Sequence, residues 1–583
     1  MAPAITSAKI TLSCPLFAAD FDPRNHGFLL VGGGGGEGRS GVGNKIVLLN
    51  TSRRDEISEV VDIELSRDED SVTSLAVARS DDDSLVALAG INSSQAERRK
   101  GVNQHLRSFQ LEYPPRKKKD GNDNNDGSAG ETERKERKTR ALSQVSLFRQ
   151  HTPAGEKTDD TYQRLLRLSP YKDAKDAPRI GAIATGMAPA GEIVVFSLSP
   201  EPKATDVIAR IRLGSGEEAE DIDILDLEDD GRFLVAYTTG TEVFTFEVST
   251  SQRSETAPEV LSVFKSPQPQ RGKKGRPRFR ALRFLSPTAL LLLQNAPDRG
   301  GAELVLVSTT GKGSVLQRKR LRNSVRIGLA LDVRDLGEGG GTPAGARQYV
   351  AAVAGSDQSI ELFTLERNGN QSRFGRLQRY TTLTDVHPFS ITQICFSHYR
   401  PPSPSSSSSA ATPPQILKLA SLSLGNTAVV HTIPLKLFPP RSSSTTTGTS
   451  AIPRYVLKPP VNTELRETLF SCAVALVVIA VSCLLLQAWT EIRGGTPPYL
   501  GAADWLPEGI RAKVARPYMF GEGGRPHPFW NPNPQPQVLP RESTAAASDR
   551  KVSTNAEDDG VGVGLDDGIE STASAYASLS NEL

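Results

Sequence analysis

Cysteine and aromatic residues are scarce in this sequence. Four of its 583 residues are cysteines, and aromatic side chains make up 6% of the chain. None of the cysteines has the spacing of a zinc site, and two of them, Cys472 and Cys483, lie within one apolar stretch. The sequence therefore gives no indication of a disulfide-stapled extracellular fold or of a cysteine-bound metal centre.

An excess of charge of one sign is also missing. Lys and Arg total 69 against 67 for Asp and Glu, a net charge of +2, whereas nucleic-acid-binding domains are usually strongly basic. Two basic runs, 116–119 and 271–274, have no aromatic neighbours. They could serve as localisation or nucleic-acid patches, but such runs are more typical of solvated loops. We expect no nucleic-acid partner.

A secretory signal peptide and a recognisable catalytic constellation are absent from the sequence as well. Its N-terminus, MAPAITSAKITLSCPLF, lacks a charged start followed by a continuous apolar core, so we expect the part before the apolar stretch to stay in the cytosol. The seven histidines are scattered, and no Ser–His–Asp triad or carboxylate pair stands out. We expect no covalent catalysis.

The chain contains one long apolar stretch, Thr468–Trp489, which has 22 residues and no charge. As a helix it would span about 33 Å, enough to cross the hydrocarbon core of a bilayer. A buried core helix is the alternative, but such helices rarely stay uncharged over this length. We interpret the stretch as a transmembrane helix.

The charges on either side of this stretch predict its orientation. Arg454, Lys458 and Arg466 precede it, whereas only Arg493 follows over a similar distance. Because positive charge is retained on the cytosolic side of a span, the N-terminal part is expected in the cytosol. We expect a single-pass type II membrane protein whose residues 490–583 form a lumenal, largely disordered tail.

Residues 9–438 repeat one theme of short β-rich runs separated by turns. In DIDILDLEDDGRFLVAYTTGTEVFTFEV, residues 221–248, alternating and apolar strands follow each other through tight turns. Such units recur about every 40 to 60 residues, which is typical of a β-propeller with insertions, although the Trp-Asp dipeptide of WD repeats is missing. We predict an all-β fold: a seven-bladed WD-repeat-like propeller over 1–438, closed by KITLSC, residues 9–14.

Polar insertions and a linker accompany the predicted propeller. Their compositions, charged without aromatics or rich in Gly, Pro and Ser, are typical of segments that cannot build a core. We expect disordered insertions near 114–140, 266–278, 335–347 and 402–414, and a linker over 439–467 between the propeller and the span.

A glycine-rich stretch separates two apolar strands near the N-terminus. GFLLVGGGGGEGRSGVGNKIVLLN, residues 27–50, contains five consecutive glycines, Gly32–Gly36, and three more before the second strand. Residues 36–41 match G-x-G-x-x-G, but the loop continues into a strand where a dinucleotide site needs a helix. A phosphate-binding P-loop is excluded because Gly43 is followed by Asn-Lys-Ile rather than by Lys-Ser/Thr.

Three interpretations of this strand-to-strand loop stay open. Its many main-chain carbonyls could replace the hydration shell of a hard cation. A loop held in this way would be a rigid projection for a protein partner. The third interpretation is a flexible surface loop without a role, because ordering a glycine-rich segment costs more conformational entropy than ordering other residues.

The loop also carries a family resemblance. LLVGGGGGEGRSGVGNKIVLL, residues 29–49, resembles the signature loop of the endoplasmic-reticulum membrane exchange factors for Sar-type GTPases, the proteins that start COPII coat assembly. The glycine run, Glu37-Gly38 and Gly41-Val42-x-Asn44-Lys45 carry the match, and a single span after the propeller agrees with that family. Further similar segments are NQHLRSFQL (103–111), LALDVRD (329–335), GSDQSIELFTL (355–365) and HPFSITQICFS (387–397).

The resemblance implies a propeller whose glycine loop binds potassium and contacts the GTPase. Asn44 matches the asparagine that the family presents to the GTPase, and Asp332 matches an acidic position at the same face. Where some members have Ser-Pro-Thr, this chain has Ser71-Val72-Thr73, so a role of that proline does not carry over. The implied GTPase-binding loop consists of Gly38, Arg39, Ser40, Gly41, Val42, Gly43 and Lys45. The implied potassium ligands are the backbone carbonyls of Gly33, Gly34, Gly35, Gly36 and Gly41.

From the resemblance and the topology we expect a guanine-nucleotide exchange factor at the endoplasmic-reticulum membrane. It would promote GDP release from a Sar-type GTPase and so start COPII coat assembly, with potassium as a structural ion. The alternative is a non-catalytic, membrane-anchored propeller that serves as a scaffold for coat or signalling proteins. The rate of GDP release distinguishes the two functions.

Overall fold

A computed structural model divides the chain into two units, Met1–Val461 and Asn462–Leu583, which we describe separately. The structure describes residues 5–37, 41–114, 139–149, 162–172, 177–228, 231–251, 257–269, 275–310, 313–337, 347–368, 373–400, 414–438, 454–458, 463–518 and 520.

The first unit consists of antiparallel sheets that follow one another along the chain, and its described residues form seven of them, the blades of a propeller. Blade 1 contains β2 (Leu16–Phe21), β3 (Phe28–Gly33), β4 (Asn44–Asn50) and β5 (Ser58–Leu65), and blade 2 contains β6 (Val72–Ser80), β7 (Ser84–Ile91), β8 (Leu106–Glu112) and β9 (Thr139–Val145). Blade 3 contains β10 (Gln163–Leu168), β11 (Ile180–Thr185), β12 (Ala190–Ser197) and β13 (Val207–Ser215). Blade 4 contains β14 (Asp221–Asp226), β15 (Arg232–Thr238), β16 (Glu242–Ser249) and β17 (Leu261–Lys265). Blade 5 contains β18 (Arg278–Ser286), β19 (Ala289–Asn295), β20 (Ala302–Ser308) and β21 (Val315–Arg320). Blade 6 contains β22 (Gly328–Asp335), β23 (Arg347–Gly355), β24 (Ile360–Asn368), β25 (Arg373–Phe374) and β26 (Gln378–Leu383). Blade 7 contains β27 (Ile391–Phe396), β28 (Ile416–Ser423), β29 (Thr427–Pro434) and β1 (Thr6–Thr11).

The N-terminal strand closes the ring. β1 pairs antiparallel with β29, with Thr6 opposite Thr432, and so supplies the fourth strand of blade 7. A buried lysine ties blade 7 to blade 1 as well, since Lys418 Nζ donates a hydrogen bond to the Thr51 carbonyl at 2.5 Å. The predicted all-β, seven-bladed propeller is confirmed, and its closing strand begins slightly earlier than the predicted residues 9–14.

Apolar content explains where each strand lies in its blade. The second strands β7 (SLVALAGI) and β19 (ALLLLQN) are buried along almost their whole length, because neighbouring blades cover both of their faces. The outermost strand β21 (VLQRKR) is largely exposed and mostly polar. Continuous apolar runs therefore mark the interior strands, and polar runs mark the rim.

The glycine loop between β3 and β4 opens onto one face of the propeller, which we call the upper face. Because the strands within a blade are antiparallel, connections from second to third strands and connections between blades open onto this face. Connections from first to second strands and from third to fourth strands open onto the opposite, lower face. β29 is the third strand of blade 7, so the chain leaves it at Pro434 on the lower face.

A two-stranded hairpin follows blade 7. β30 (Lys436–Phe438) pairs antiparallel with β31 (Arg454–Val456). Val456 is buried, and Tyr455 and Leu457 lie in an apolar cluster with side chains of blades 6 and 7. Within the linker predicted over 439–467, the segment 454–457 packs as part of the propeller. Of that linker, 439–453 and 459–462 lie outside the described residues.

The second unit begins with a long helix, α2 (Thr463–Ile492). Its segment Thr468–Ile492 is apolar and long enough to cross a membrane, and its most apolar window of 18 residues has a mean hydropathy of 2.9. This segment contains the stretch predicted as a span from the sequence, and none of its most apolar window is buried. The chain therefore has one candidate transmembrane helix in its described part.

The chain folds back after α2. The Glu491 carboxylate accepts hydrogen bonds from the N–H groups of Leu500 and Ala502, at 2.9 and 3.3 Å. The tail predicted over 490–583 thus begins with an organised segment, and its residues 519 and 521–583 lie outside the described part. Of the four predicted insertions, 115–138, 270–274, 338–346 and 402–413 lie outside it as well. Short helices in the connections are α1 (Gln95–Arg98), α3 (Glu508–Val514) and the 3₁₀ turns Ala204–Asp206, Pro297–Arg299 and Ala502–Trp505.

Candidate functional site

The glycine loop joins β3 to β4 at the upper rim of blade 1. Gly33 is the last residue of β3, and a β-carbon added to it would lie 1.9 Å from the Pro15 carbonyl oxygen. Gly36 and Gly41 have φ values of +69° and +75°, which favour glycine over other residues. Gly43 has neither constraint. The loop glycines therefore serve different purposes. Gly33 lets the main chain at the end of β3 pass close to Pro15, whereas Gly36 and Gly41 allow the chain to turn.

Asn44 is buried, with 1% of its surface exposed. Its Oδ1 accepts a hydrogen bond from Gly36 N–H at 3.0 Å. Its Nδ2 donates to the carbonyls of Ser66 and Glu69, at 3.1 and 2.8 Å. The side chain thus fastens the glycine loop to the connection between blades 1 and 2, and both of its amide N–H donors are used within the protein.

Two further contacts extend this arrangement to blade 2. The Glu37 carboxylate accepts a hydrogen bond from the N–H of Gln95, the first residue of α1, at 2.6 Å. Glu69, whose carbonyl is bound by Asn44, forms a 2.7 Å ion pair with the nearly buried Arg107. The glycine loop, the 66–71 connection and the α1 segment therefore form one continuous structure on the upper rim.

The residues of the implied GTPase-binding loop are only partly described. Gly38, Arg39 and Ser40 lie outside the described residues. Gly41 is exposed, while Val42 and Gly43 are half-buried. Lys45 lies on β4 and pairs with Glu64 at 3.1 Å and Asp62 at 3.6 Å. The hydrogen bond that Lys45 donates to the Glu64 carboxylate raises the pKa of Lys45. Lys45 is thus engaged with β5 rather than with the loop.

Some of the main-chain oxygens in the glycine loop are suited to bind a hard monovalent cation. In the described residues, the carbonyls of Gly34, Gly35 and Gly36 accept no protein hydrogen bond, so they are available as oxygen ligands. Gly33 instead pairs with Lys45 and Leu16 within blade 1. Among the described residues there is no cluster of His, Cys, Asp or Glu side chains that could hold a metal, so an ion here would depend on main-chain oxygens.

Asp332 lies elsewhere, on the first strand of blade 6. Its Oδ2 accepts a hydrogen bond from Phe396 N–H at 2.7 Å, and its Oδ1 lies 3.4 Å from Arg283 Nε. Both partners belong to the neighbouring blades. No described contact joins Asp332 to the glycine loop, so the structure does not bring the two implied exchange residues together.

Other blades use an acidic residue in the same way as Asp332. Asp20 accepts from Val77 N–H at 2.9 Å, and Asp223 accepts from Phe284 N–H at 2.8 Å. In each case the first strand of one blade holds the first strand of the next. Burial raises the pKa of Asp20 to about 6 despite this hydrogen bond. Asp332 is therefore one of several carboxylates that join blades around the central axis.

Two buried histidines were not singled out by the sequence. His105 Nδ1 lies 2.7 Å from Gln163 Oε1, and its Nε2 accepts from Leu147 N–H at 3.0 Å. His387 lies 2.8 Å from the Ser421 hydroxyl, but Ser421 is fully buried and cannot meet a substrate. Burial lowers the pKa of both histidines to about 4. His105 joins blades 2 and 3, and His387 holds the connection that precedes β27 against blade 7.

Comparison with known proteins finds no matching family model and no matching curated protein. Among solved structures, the chain is similar to Saccharomyces cerevisiae Sqt1, with a TM-score of 0.38 and 10% identity over 74% of this chain and 100% of that chain. The Dos1 propeller matches with a TM-score of 0.37 and 10% identity, over 73% of this chain and 95% of that chain. A chain of the structure titled "COPII on membranes, outer coat vertex" matches with a TM-score of 0.42 and 9% identity, over 77% of this chain and 89% of that chain. These neighbours are WD40 propellers, and the likeness concerns the fold alone.

Proposed function

We propose that this chain is a membrane-anchored guanine-nucleotide exchange factor for a Sar-type GTPase at the endoplasmic reticulum. The observation that carries the proposal is the glycine loop on the upper rim, whose course is fixed by the buried Asn44 side chain. The sequence of residues 29–49 resembles the signature loop of that family. The propeller and the candidate span over Thr468–Ile492 agree with the same organisation.

The proposed mechanism follows from how a GTPase holds its nucleotide. Affinity for GDP depends on a phosphate-binding loop, on Mg²⁺ and on ordered switch segments. A partner that binds the nucleotide-free conformation more tightly lowers the affinity for the nucleotide by the same factor. A rigid projection meets this requirement better than a mobile one, because less entropy is lost when it binds. GTP then enters the vacated site.

Within this proposal Asn44 is a positioning residue. Its side chain is buried and hydrogen-bonded to the loop and to the 66–69 connection, so it holds the loop in the shape that meets the GTPase. The contacting part is then the stretch that follows Gly36, whose described residues Glu37 and Gly41 are exposed. If Asn44 contacted the GTPase directly, as the resemblance to the family implies, its side chain would have to leave these partners when the complex forms.

Potassium would be held by the carbonyls of Gly34, Gly35 and Gly36, which accept no protein hydrogen bond among the described residues. The ion would supply positive charge that offsets the repulsion between neighbouring carbonyl dipoles. For Asp332 we propose an indirect role: its bond to Phe396 N–H holds blade 7 against blade 6. Neither assignment is needed for the loop to contact a GTPase.

Nucleotide release from a Sar-type GTPase tests the proposal. The full chain is reconstituted into vesicles, and the release of a fluorescent GDP analogue is followed with excess GTP. We expect acceleration over the GTPase alone, and no acceleration for a Ras-type GTPase used as a control. If the Sar-type GTPase binds but its GDP release is unchanged, the chain is a membrane-anchored scaffold instead, and the exchange proposal is wrong.

A further inference from the structure

The hairpin formed by β30 and β31 combines exposed basic and apolar side chains. Lys436 and Lys458 are exposed, and Leu437 is 44% exposed. The Lys458 ammonium lies 4.6 Å from the centre of the Phe438 ring. Lysines beside an exposed leucine and an aromatic ring resemble the composition of segments that lie at a membrane surface.

The hairpin is fixed firmly to the lower side of blade 6. The Leu457 N–H donates to Gln348 Oε1 at 2.7 Å, and Gln348 Nε2 donates back to the Leu457 carbonyl at 3.2 Å. Tyr455, Val456 and Leu457 are at most 3% exposed. A side chain on the outer edge of the hairpin therefore has a defined position on the propeller.

The short stretch of chain between the hairpin and the candidate span limits how far apart the two can lie. Residues 459–467 alone separate Lys458 from the candidate span that begins at Thr468. Even a fully extended chain of this length reaches only about 30 Å. The hairpin is thus the part of the propeller that the sequence holds nearest to the point where the chain enters the membrane.

The charges that face solvent on the hairpin are positive. Arg454 is neutralised by Glu366, at 2.8 Å, whereas Lys436 and Lys458 have no ion pair among the described residues. The cytosolic leaflet of a membrane is negative, and basic residues next to a span are attracted to it over about one Debye length, roughly 8 to 10 Å at physiological salt. The two lysines therefore complement the surface beside which they are tethered.

We propose that the outer edge of this hairpin, Lys436, Leu437 and Lys458, docks on the anionic lipid surface of the membrane that anchors the chain. Docking there turns the lower face toward the bilayer and directs the upper face, with its glycine loop, toward the cytosol. The inference rests on the candidate span crossing a membrane and not on exchange activity, so either can fail without the other.

A fluorescent probe on the full chain tests this docking. Leu437→Cys is introduced together with Cys472→Ser and Cys483→Ser, labelled with NBD and reconstituted into phosphatidylcholine vesicles with or without about 30 mol% phosphatidylserine. We expect at least about twofold brighter emission in the anionic vesicles, because the probe enters the interface. The increase is expected to disappear in about 1 M salt, where the Debye length is about 3 Å. The same probe at Met187→Cys, an exposed site on the upper face, should not change.

Charge reversal identifies the residues responsible. Lys436→Glu with Lys458→Glu is expected to abolish the increase, whereas the same change at the exposed Lys100 and Lys203 leaves it intact. Circular dichroism confirms that all variants are folded. A probe at residue 437 that stays dim in both kinds of vesicle, or is equally bright in both, overturns the proposal.

Discussion

Gly34 and Asn44 approach each other so closely that a β-carbon added to Gly34 would lie 2.0 Å from the Asn44 side-chain oxygen. The same Oδ1 accepts the hydrogen bond from Gly36 N–H. A glycine is thus required beside the side chain that shapes the loop, and the long glycine run has a packing reason at this position. Gly43, only nine residues later, has no atom within 4 Å of an added β-carbon.

Alanine substitutions at these two glycines should separate a required glycine from a permissive one. Gly34→Ala forces Asn44 out of place. We expect GDP release to slow by about tenfold or more, because moving a contact by about an ångström can reduce a rate by large factors. Gly43→Ala should exchange nucleotide like the wild type. Both variants are compared in the vesicle assay. Equal loss in both would indicate that the loop shape around Asn44 is not what the GTPase contacts.

Asn44→Ala should weaken stability as well as exchange. The substitution leaves Gly36 N–H and the carbonyls of Ser66 and Glu69 without their partner, so we expect the free energy of unfolding to fall by about 2 kcal/mol. Hydrogen exchange of the loop amides should rise above that of the rest of blade 1. Lys45→Ala is the control for loop protection only, since Lys45 pairs with Glu64 on β5. An Asn44→Ala variant with unchanged loop protection but no exchange activity would mean that Asn44 contacts the GTPase directly.

Asp332 and Asp223 make equivalent bonds in blades 6 and 4, and their alanine variants test whether Asp332 does more. Each variant leaves one buried main-chain N–H, of Phe396 or Phe284, without an acceptor. We expect each to lower the free energy of unfolding by about 1–3 kcal/mol and to leave GDP release by the folded protein unchanged. Slower release in Asp332→Ala alone, measured well below the unfolding temperature, would support the role at the GTPase face that the family resemblance implies.

The sequence was informative where physical chemistry acts locally. The strand β19 and the candidate span, predicted over Thr468–Trp489, follow from continuous apolar residues, whose burial or membrane insertion needs no particular partner. The burial of Asn44 could not be predicted, because two of its three partners, Ser66 and Glu69, lie more than twenty residues further along the chain. The hairpin strand Arg454–Val456 escaped prediction for the same reason: it is held by Gln348, 109 residues away from Leu457.

Acid should destabilise the propeller through its buried histidines. The pKa of His105 is about 4 in the folded protein and 6.5 ordinarily, so between these pH values the unfolded chain binds a proton that the folded chain does not. The free energy of unfolding therefore falls as the pH drops from 6.5 to 4, by up to about 3 kcal/mol for this group. Urea unfolding of wild type and His105→Gln checks this. The variant should be less stable at pH 7 but lose less stability toward pH 4.5, and parallel curves would exclude His105 as a source of the acid sensitivity.

Replacing potassium should slow nucleotide release if main-chain carbonyls hold the ion. The free carbonyls belong to Gly34, Gly35 and Gly36, and a carbonyl cage selects its ion by size and ligand number. We expect faster release in potassium than in lithium or choline at equal ionic strength, after subtraction of the GTPase alone in each salt. Hydrogen exchange of the amides of residues 33–45 gives a readout independent of activity and should show more protection in potassium. Equal rates and equal protection in all three salts would mean that Asn44 holds the loop without an ion.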